Sequence, residues 1–151
     1  MHILRLLFYV SSISILSGCA SNILQPLISS ISAYDELYLR GVFTWWEADP
    51  KYKLQKVQDS RYATTIKLIA DGQPYDFKFS DALWTPGLNC GYLDKKSDQL
   101  VTLDQVVMSN CDTSAQNFKF IPSETAVYEF SIDFSDPQAP KVAIRKAPLA
   151  K

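Results

Sequence analysis

Apolar and polar residues alternate in short runs from residue 37 onward, and this pattern leaves few folds open. A period of two places successive side chains on opposite faces of a strand, so each run predicts a strand with one buried face. No run keeps the period of 3.6 residues that an amphipathic helix requires. About eight short strands at this spacing predict an all-β fold, an antiparallel β-sandwich. The main runs are Leu37–Phe43, Tyr62–Leu68, Tyr75–Ser80, Tyr128–Phe134 and Lys141–Lys146.

Weaker patterns complete this prediction. We expect the segment 85–116 to be a loop-rich insertion, because its patterning is poor. In the first and third runs the alternation assigns Arg40 and Lys78 to the solvent-facing side. There Arg40 could form a cross-strand pair with Glu129 or Asp133. Further short strand candidates are Tyr52–Val57, Leu100–Leu103 and Asn117–Ile121.

The first residues have the pattern of a targeting segment. Arg5 supplies a positive charge, and Leu6–Leu16 is an apolar run too short to span a bilayer as a helix. The next residues, Leu16-Ser17-Gly18-Cys19, resemble the lipobox of bacterial lipoproteins. The alternative is an ordinary signal peptide followed by an incidental cysteine.

The lipobox resemblance implies a membrane-anchored lipoprotein. In that family the chain is cut before the cysteine, which receives a diacylglycerol on its thiol and a fatty acid such as palmitate on its amine. Several acyl chains on Cys19 give stable anchoring, whereas one chain alone is marginal. Ala20 and Ser21 follow, without the Asp that retains such proteins in the inner membrane, which favours the outer membrane and leaves the leaflet undetermined. The predicted organisation is a signal peptide at 1–18, the lipidated cysteine and a tether at 19–34, and a β-sandwich domain at 35–147.

The only histidine is His2, inside the predicted signal peptide. The rest of the chain therefore lacks the group that Ser-His-Asp and Cys-His catalysis and His-ligated metal sites need. Neither a Gly-rich phosphate loop nor a G-x-S-x-G motif occurs in the sequence. The net charge of −1 does not provide the basic field that nucleic-acid binding requires. We therefore expect no enzyme, no cofactor, no metal and no nucleic-acid partner.

Two carboxylate pairs leave alternatives open. Glu47 and Asp49 lie near two tryptophans and could act as an acid/base couple, although a solvated loop is the simpler interpretation. Asp133 and Asp136 could contribute oxygen ligands to calcium, although two carboxylates do not complete a calcium site by themselves.

Cys90 and Cys111 are the remaining cysteines. Export passes the chain through an oxidising compartment, so a disulfide is predicted. Closing this loop would stabilise the fold by about 3 kcal/mol in the chain-entropy model. The alternative is a pair of buried free thiols, since two cysteines without a histidine cannot complete a structural zinc site.

Two adjacent tryptophans, Trp45 and Trp46, follow the first run. Neighbouring side chains on a strand face opposite sides, so at least one of them is expected to be exposed.

The stretch Tyr38–Trp46 resembles the first strand and loop of starch- and glycogen-binding modules. These modules accompany pullulanases and branching enzymes and occur in the β subunit of AMP-activated kinase. The family's order continues in Tyr62–Leu68, Asp71-Gly72, Phe77-Lys78-Phe79, Asp81, Trp84 and the final hairpin from Tyr128 to Pro140.

The resemblance implies an immunoglobulin-like sandwich that binds α-glucan without catalysis. It places the carbohydrate-binding residues at Trp46, Lys78, Trp84 and Asn117, with Trp45 at a position that is usually polar. Flat indoles can cover the C–H face of a pyranose while an amine and an amide bind its hydroxyls. We therefore expect a membrane-anchored domain that binds α-glucan or another oligosaccharide.

The same residues also have ordinary structural interpretations. Trp46 and Trp84 could fill the core or the strand ends, since Trp is usually well buried. Lys78 could lie on an unremarkable polar face, and Asn117 could satisfy a turn. The rival function is an envelope lipoprotein that binds a protein partner or acts in assembly, because one sandwich fold hosts many functions.

Overall fold

The computed structural model describes residues 32–112 and 116–148. The predicted signal peptide, the lipobox with Cys19 and the tether as far as residue 31 lie outside the described residues. Residues 32–34, which we assigned to the tether, pack on the domain. Ser32 caps a short 3₁₀ turn, and the Tyr34 ring stacks on Phe134 with the centroids 3.7 Å apart.

Short strands account for most of the regular structure in the described residues. The 3₁₀ turns found there are Ala33–Glu36, Val42–Thr44 and Pro50–Tyr52, and none has the length or apolar character that crossing a membrane would require. The strands are β1 (Tyr38–Gly41), β2 (Gln55–Lys56), β3 (Arg61–Leu68), β4 (Tyr75–Ser80), β5 (Asn89–Tyr92), β6 (Val106–Asn110), β7 (Phe118–Phe120), β8 (Ala126–Asp133) and β9 (Lys141–Lys146).

These strands form an all-β, antiparallel, immunoglobulin-like β-sandwich, as predicted. The first sheet contains β1, β4, β5 and β7, with β4 between β1 on one side and both β5 and β7 on the other. The second sheet has the order β2-β3-β8-β9-β6. A short pairing of β5 with β6 joins the two sheets at one side.

Aromatic rings from both sheets fill the core. The Phe77 centroid of β4 lies 4.9 Å from that of Phe130 on β8, which places the two sheets in direct contact. The Phe118 ring of β7 stacks on Phe77 at 5.2 Å. The inward positions predicted for β3, β8 and β9 are buried: Tyr62, Ile66, Leu68, Tyr128, Phe130, Ile132, Val142 and Ile144.

The described part of the segment 85–116 is mostly loop but also contains two strands. It contributes β5 and β6 rather than loops alone, and their pairing links the sheets. β5 lacks alternation because it is buried along most of its length and needs small residues. Burial does alternate in β6, but Val106 is exposed and Ser109 is buried, so the residue types do not follow it. A Cβ on Gly91 would lie 1.7 Å from the carbonyl oxygen of Gln116. Leu100–Leu103 is not a strand and makes only an isolated bridge from Leu100 to Lys119.

The disulfide between Cys90 and Cys111 is present. Cys90 lies on β5, and Cys111 directly follows β6. The backbone N–H groups of Gly87 and Asn89 both donate to the carbonyl oxygen of Cys111 at 3.1 Å. The cross-link therefore holds the chain after β6 against the start of β5.

Candidate functional site

A row of polar side chains crosses the outer face of the first sheet. Phe77 and Phe79 of β4 point into the core, so Lys78 between them points to the opposite face. Arg40 of β1 is the register partner of Lys78 on one side. Continuing the β4–β7 register by one residue places Asn117 opposite Lys78 on the other side. The sheet thus aligns two cations and an amide on one face.

The loop after β1 carries Trp45 and Trp46 over this face. The Thr44 hydroxyl accepts from the Gly41 N–H at 3.2 Å and donates to the Gly41 carbonyl at 3.1 Å, which closes a tight turn. The Trp46 N–H donates to the same carbonyl at 2.9 Å. Both tryptophans adopt positive φ, 52° and 66°. Gly41 is required because a Cβ there would lie 2.4 Å from the carbonyl oxygen of Asp76.

The loop after β4 carries Trp84. The Asp81 carboxylate accepts from the Thr85 N–H at 2.8 Å and from the Thr85 hydroxyl at 2.6 Å. These two hydrogen bonds close the loop around the three residues between them, the last of which is Trp84. Trp84 has a φ of 59°, a left-handed conformation that a bulky residue rarely adopts. Asp81 therefore shapes the loop that presents the indole.

One shallow cavity of about 260 Å³ brings the four carbohydrate-binding candidates together. Trp46, Lys78, Trp84 and Asn117 all line it. Trp84 is 36% exposed and Trp46 is half-buried, so neither indole is enclosed in the core. Trp45 is 88% exposed and does not line the cavity.

Lys78 corrects the expectation of a solvent-facing side chain, because it is only 1% exposed. It does lie on the outer face of the sheet, but the loops that carry Trp46 and Trp84 cover that face. Burial lowers the pKa of Lys78 from its ordinary value of 10.5 to about 8. At neutral pH the side chain is still mostly an ammonium group, which can donate hydrogen bonds into the cavity.

Arg40 is also buried, and it does not pair with Glu129 or Asp133 as we expected. Its guanidinium lies between the two tryptophan loops, and burial lowers the pKa of Arg40. Glu129 instead forms an ion pair with Arg61, and the Asp133 carboxylate accepts from the Ser60 hydroxyl at 2.7 Å. The alternation placed Arg40 on the correct face but gave no sign of what covers that face.

Asn89 is a fifth lining residue, and no sequence pattern selects it. It lies on β5 opposite Ser80, which makes it a diagonal neighbour of Lys78 on the same face. It is 6% exposed, and its side-chain oxygen has no hydrogen-bond donor among the described residues. A buried asparagine beside a disulfide cysteine has no sequence signature of its own.

Three of the four alternative carboxylates, Asp49, Asp133 and Asp136, accept hydrogen bonds within the fold. Asp49 caps the turn Pro50–Tyr52 by accepting from the Lys51 N–H, and Asp136 accepts from the Gln138 N–H. The hydrogen bond from Ser60 lowers the pKa of Asp133. Within residues 32–112 and 116–148, no group of three or more potential metal ligands occurs.

Comparison with known proteins supports the fold. No protein-family model matches the chain, and no curated protein matches it either. Among solved structures, the ligand-induced structure of AmyP-SBD, a starch-binding domain, superposes with a TM-score of 0.54 at 14% sequence identity. The match covers 93% of this chain and 97% of that domain. At this level of identity the likeness shows a common fold.

Proposed function

We propose that this protein is a noncatalytic carbohydrate-binding protein that holds an α-glucan or another oligosaccharide on the outer face of the first sheet. The observation that carries the proposal is the convergence of Trp46, Lys78, Trp84 and Asn117 in one cavity. Three separate segments of the chain supply these residues. The likeness to a starch-binding domain adds support from the fold.

The lining has the chemistry that a sugar requires. An indole face removes water from the C–H face of a pyranose, and polar groups at the same depth bind its hydroxyls. Lys78 supplies donors, while the side-chain amides of Asn89 and Asn117 supply both donors and acceptors. A shallow site of this size implies a binding free energy of about −4 to −8 kcal/mol, which corresponds to millimolar to micromolar affinity.

Titration with maltoheptaose tests the proposal. The purified protein is titrated while Trp fluorescence and NMR chemical shifts are followed. We expect saturable shifts at Trp46 and Trp84, and at least about a tenfold loss of affinity in Trp84→Ala. Trp45→Ala is the matched control, because it removes an adjacent indole that does not line the cavity. No response at about 10 mM ligand would refute α-glucan binding, and other oligosaccharides would then be screened in the same way.

We further propose that the protein is anchored to the outer membrane through acylated Cys19. The support is the lipobox-like Leu16-Ser17-Gly18-Cys19 after an apolar run. Growth of a bacterial host with radiolabelled palmitate should label the wild-type protein and not Cys19→Ser, and density-gradient fractionation should place the label with the outer membrane. Equal labelling of both forms would exclude this anchor.

A protein partner is the second candidate, favoured by the exposure of Trp45 and Leu83, which are 88% and 83% exposed. Each lies next to one of the cavity tryptophans in sequence. Cross-linking in cells that recovers one envelope protein, and loses it in Trp45→Ala rather than in Trp84→Ala, would favour this function.

A further inference from the structure

One buried guanidinium contacts both loops that carry the cavity tryptophans. Arg40 Nε donates to the carbonyl oxygen of Trp46 at 2.7 Å. Its Nη1 donates to the carbonyl oxygen of Asp81 at 2.6 Å. Its Cζ atom lies 3.5 Å from the centroid of the Trp84 ring, so the guanidinium stacks on that indole. Arg40 is 4% exposed, which leaves water little access to these contacts.

The two loops need such a restraint because their backbones are strained. Trp46 and Trp84 both have positive φ, which costs free energy in a residue with a large side chain. Such conformations persist only where the surroundings enforce them. Arg40 donates directly to the carbonyl oxygen of Trp46 and stacks on the ring of Trp84.

The contacts use properties that only arginine has. Its planar group offers donors in fixed directions and a flat face that stacks on an aromatic ring. A lysine at this position would keep the charge but could not reach both carbonyls in fixed geometry while covering the Trp84 ring. The guanidinium covers one face of that indole, while Trp84 also lines the cavity.

We propose that Arg40 is a positioning residue that fixes Trp46 and Trp84 relative to each other, and so sets the geometry of the surface on which a saccharide ring lies. This inference rests on the proposed function of the site. Arg40 is not among the residues that line the cavity. It therefore acts through the two indoles.

Arg40→Lys tests the effect on binding. We expect the affinity for maltoheptaose to fall roughly tenfold. Binding is measured under conditions in which denaturation curves show that each variant is fully folded. Arg61→Lys is the matched control, because it makes the same change in an ion pair on the second sheet. It should retain wild-type affinity. If wild-type and Arg40→Lys proteins bind equally well, Arg40 does not position the site, although the proposed function stands.

A ligand-free measurement separates the positioning role from saccharide binding. In the wild-type background, Trp84→Ala should shift the indole N–H resonance of Trp46, because Arg40 loses the ring on which it stacks. In the Arg40→Lys background the same replacement should shift it far less, since only direct ring-current effects remain. Equal shifts in both backgrounds would overturn the inference even if no saccharide binds. If the Arg40→Lys protein does not fold, the same experiment is carried out with Arg40→Met.

Discussion

Lys78 makes the stability of this protein depend on pH in a predictable direction. Burial lowers the pKa of Lys78 from 10.5 to about 8. Each pKa unit corresponds to about 1.4 kcal/mol, so keeping this ammonium in the folded protein at neutral pH costs about 3 kcal/mol. Lys78→Met keeps a side chain of similar length and removes the titrating group.

The sign follows from proton binding. Between about pH 8 and pH 10.5 the unfolded chain holds a proton on Lys78 that the folded chain has released, so the free energy of unfolding rises with pH. The cost is fully present below pH 8 and is relieved above pH 10.5. The difference in unfolding free energy, wild type minus Lys78→Met, should therefore increase by about 3 kcal/mol from pH 7 to pH 10.5. Lys78→Met also changes the packing contacts of this side chain. That effect shifts the difference in unfolding free energy by a similar amount at every pH, so it does not alter how the difference varies with pH.

Urea denaturation followed by Trp fluorescence, at half-unit intervals from about pH 7 to pH 10.5, measures this difference. Lys67→Met on β3 is the control, because it removes a lysine from an exposed position of the second sheet. A difference that stays constant, or that falls as the pH rises, would refute the argument that burial lowers the pKa of Lys78.

Three further predictions concern the surroundings of the site. Gly41→Ala should lower the free energy of unfolding by about 2–4 kcal/mol in denaturant titrations, because its Cβ would lie 2.4 Å from the Asp76 carbonyl oxygen. Replacing both Cys90 and Cys111 with Ala should lower it by about 3 kcal/mol and should also weaken saccharide binding in the fluorescence titration, since the chain leading to Asn117 loses its anchor. Asn89→Leu should raise the unfolding free energy by about 1 kcal/mol, because it removes a buried oxygen that no donor reaches within the described part of the chain, while calorimetric titration should show weaker saccharide binding.

Strands that have one face in the core and the other in solvent are the ones that the sequence predicts best. In β3 the inward residues Ile66 and Leu68 are buried while Thr65 and Lys67 are exposed, so alternation reports both faces of this half of the strand correctly. Ala63, which the alternation assigns to the outer face, is buried. In β4 the polar residues Lys78 and Ser80 alternate just as regularly but are both buried. Alternation distinguishes the core face from the other face, but it cannot show that loops from elsewhere in the chain cover that other face.

The site is predictable to the extent that it resembles a known motif. The order of Trp46, Lys78, Trp84 and Asn117 along the chain is enough to identify four of the lining residues. The role of Arg40 is not accessible in this way, because it depends on hydrogen bonds to carbonyls in two loops that lie 6 and 41 residues further along the chain. Backbone carbonyls have no sequence signal, so side-chain patterns alone suggested only a pairing with surface carboxylates.

Several energetic costs lie within this one small region. The φ angles of Trp46 and Trp84 cost of order 1–3 kcal/mol each, and the buried ammonium of Lys78 costs about 3 kcal/mol at neutral pH. The side-chain oxygen of Asn89, which has no donor among residues 32–112 and 116–148, adds a further penalty of about 1–3 kcal/mol. A stable sandwich requires none of these features, since leucine and alanine at the same positions would avoid most of them. Departures from local preference that cluster on one surface are expected where a protein has been selected to bind. The cluster therefore argues for a ligand at this face independently of any resemblance to other proteins.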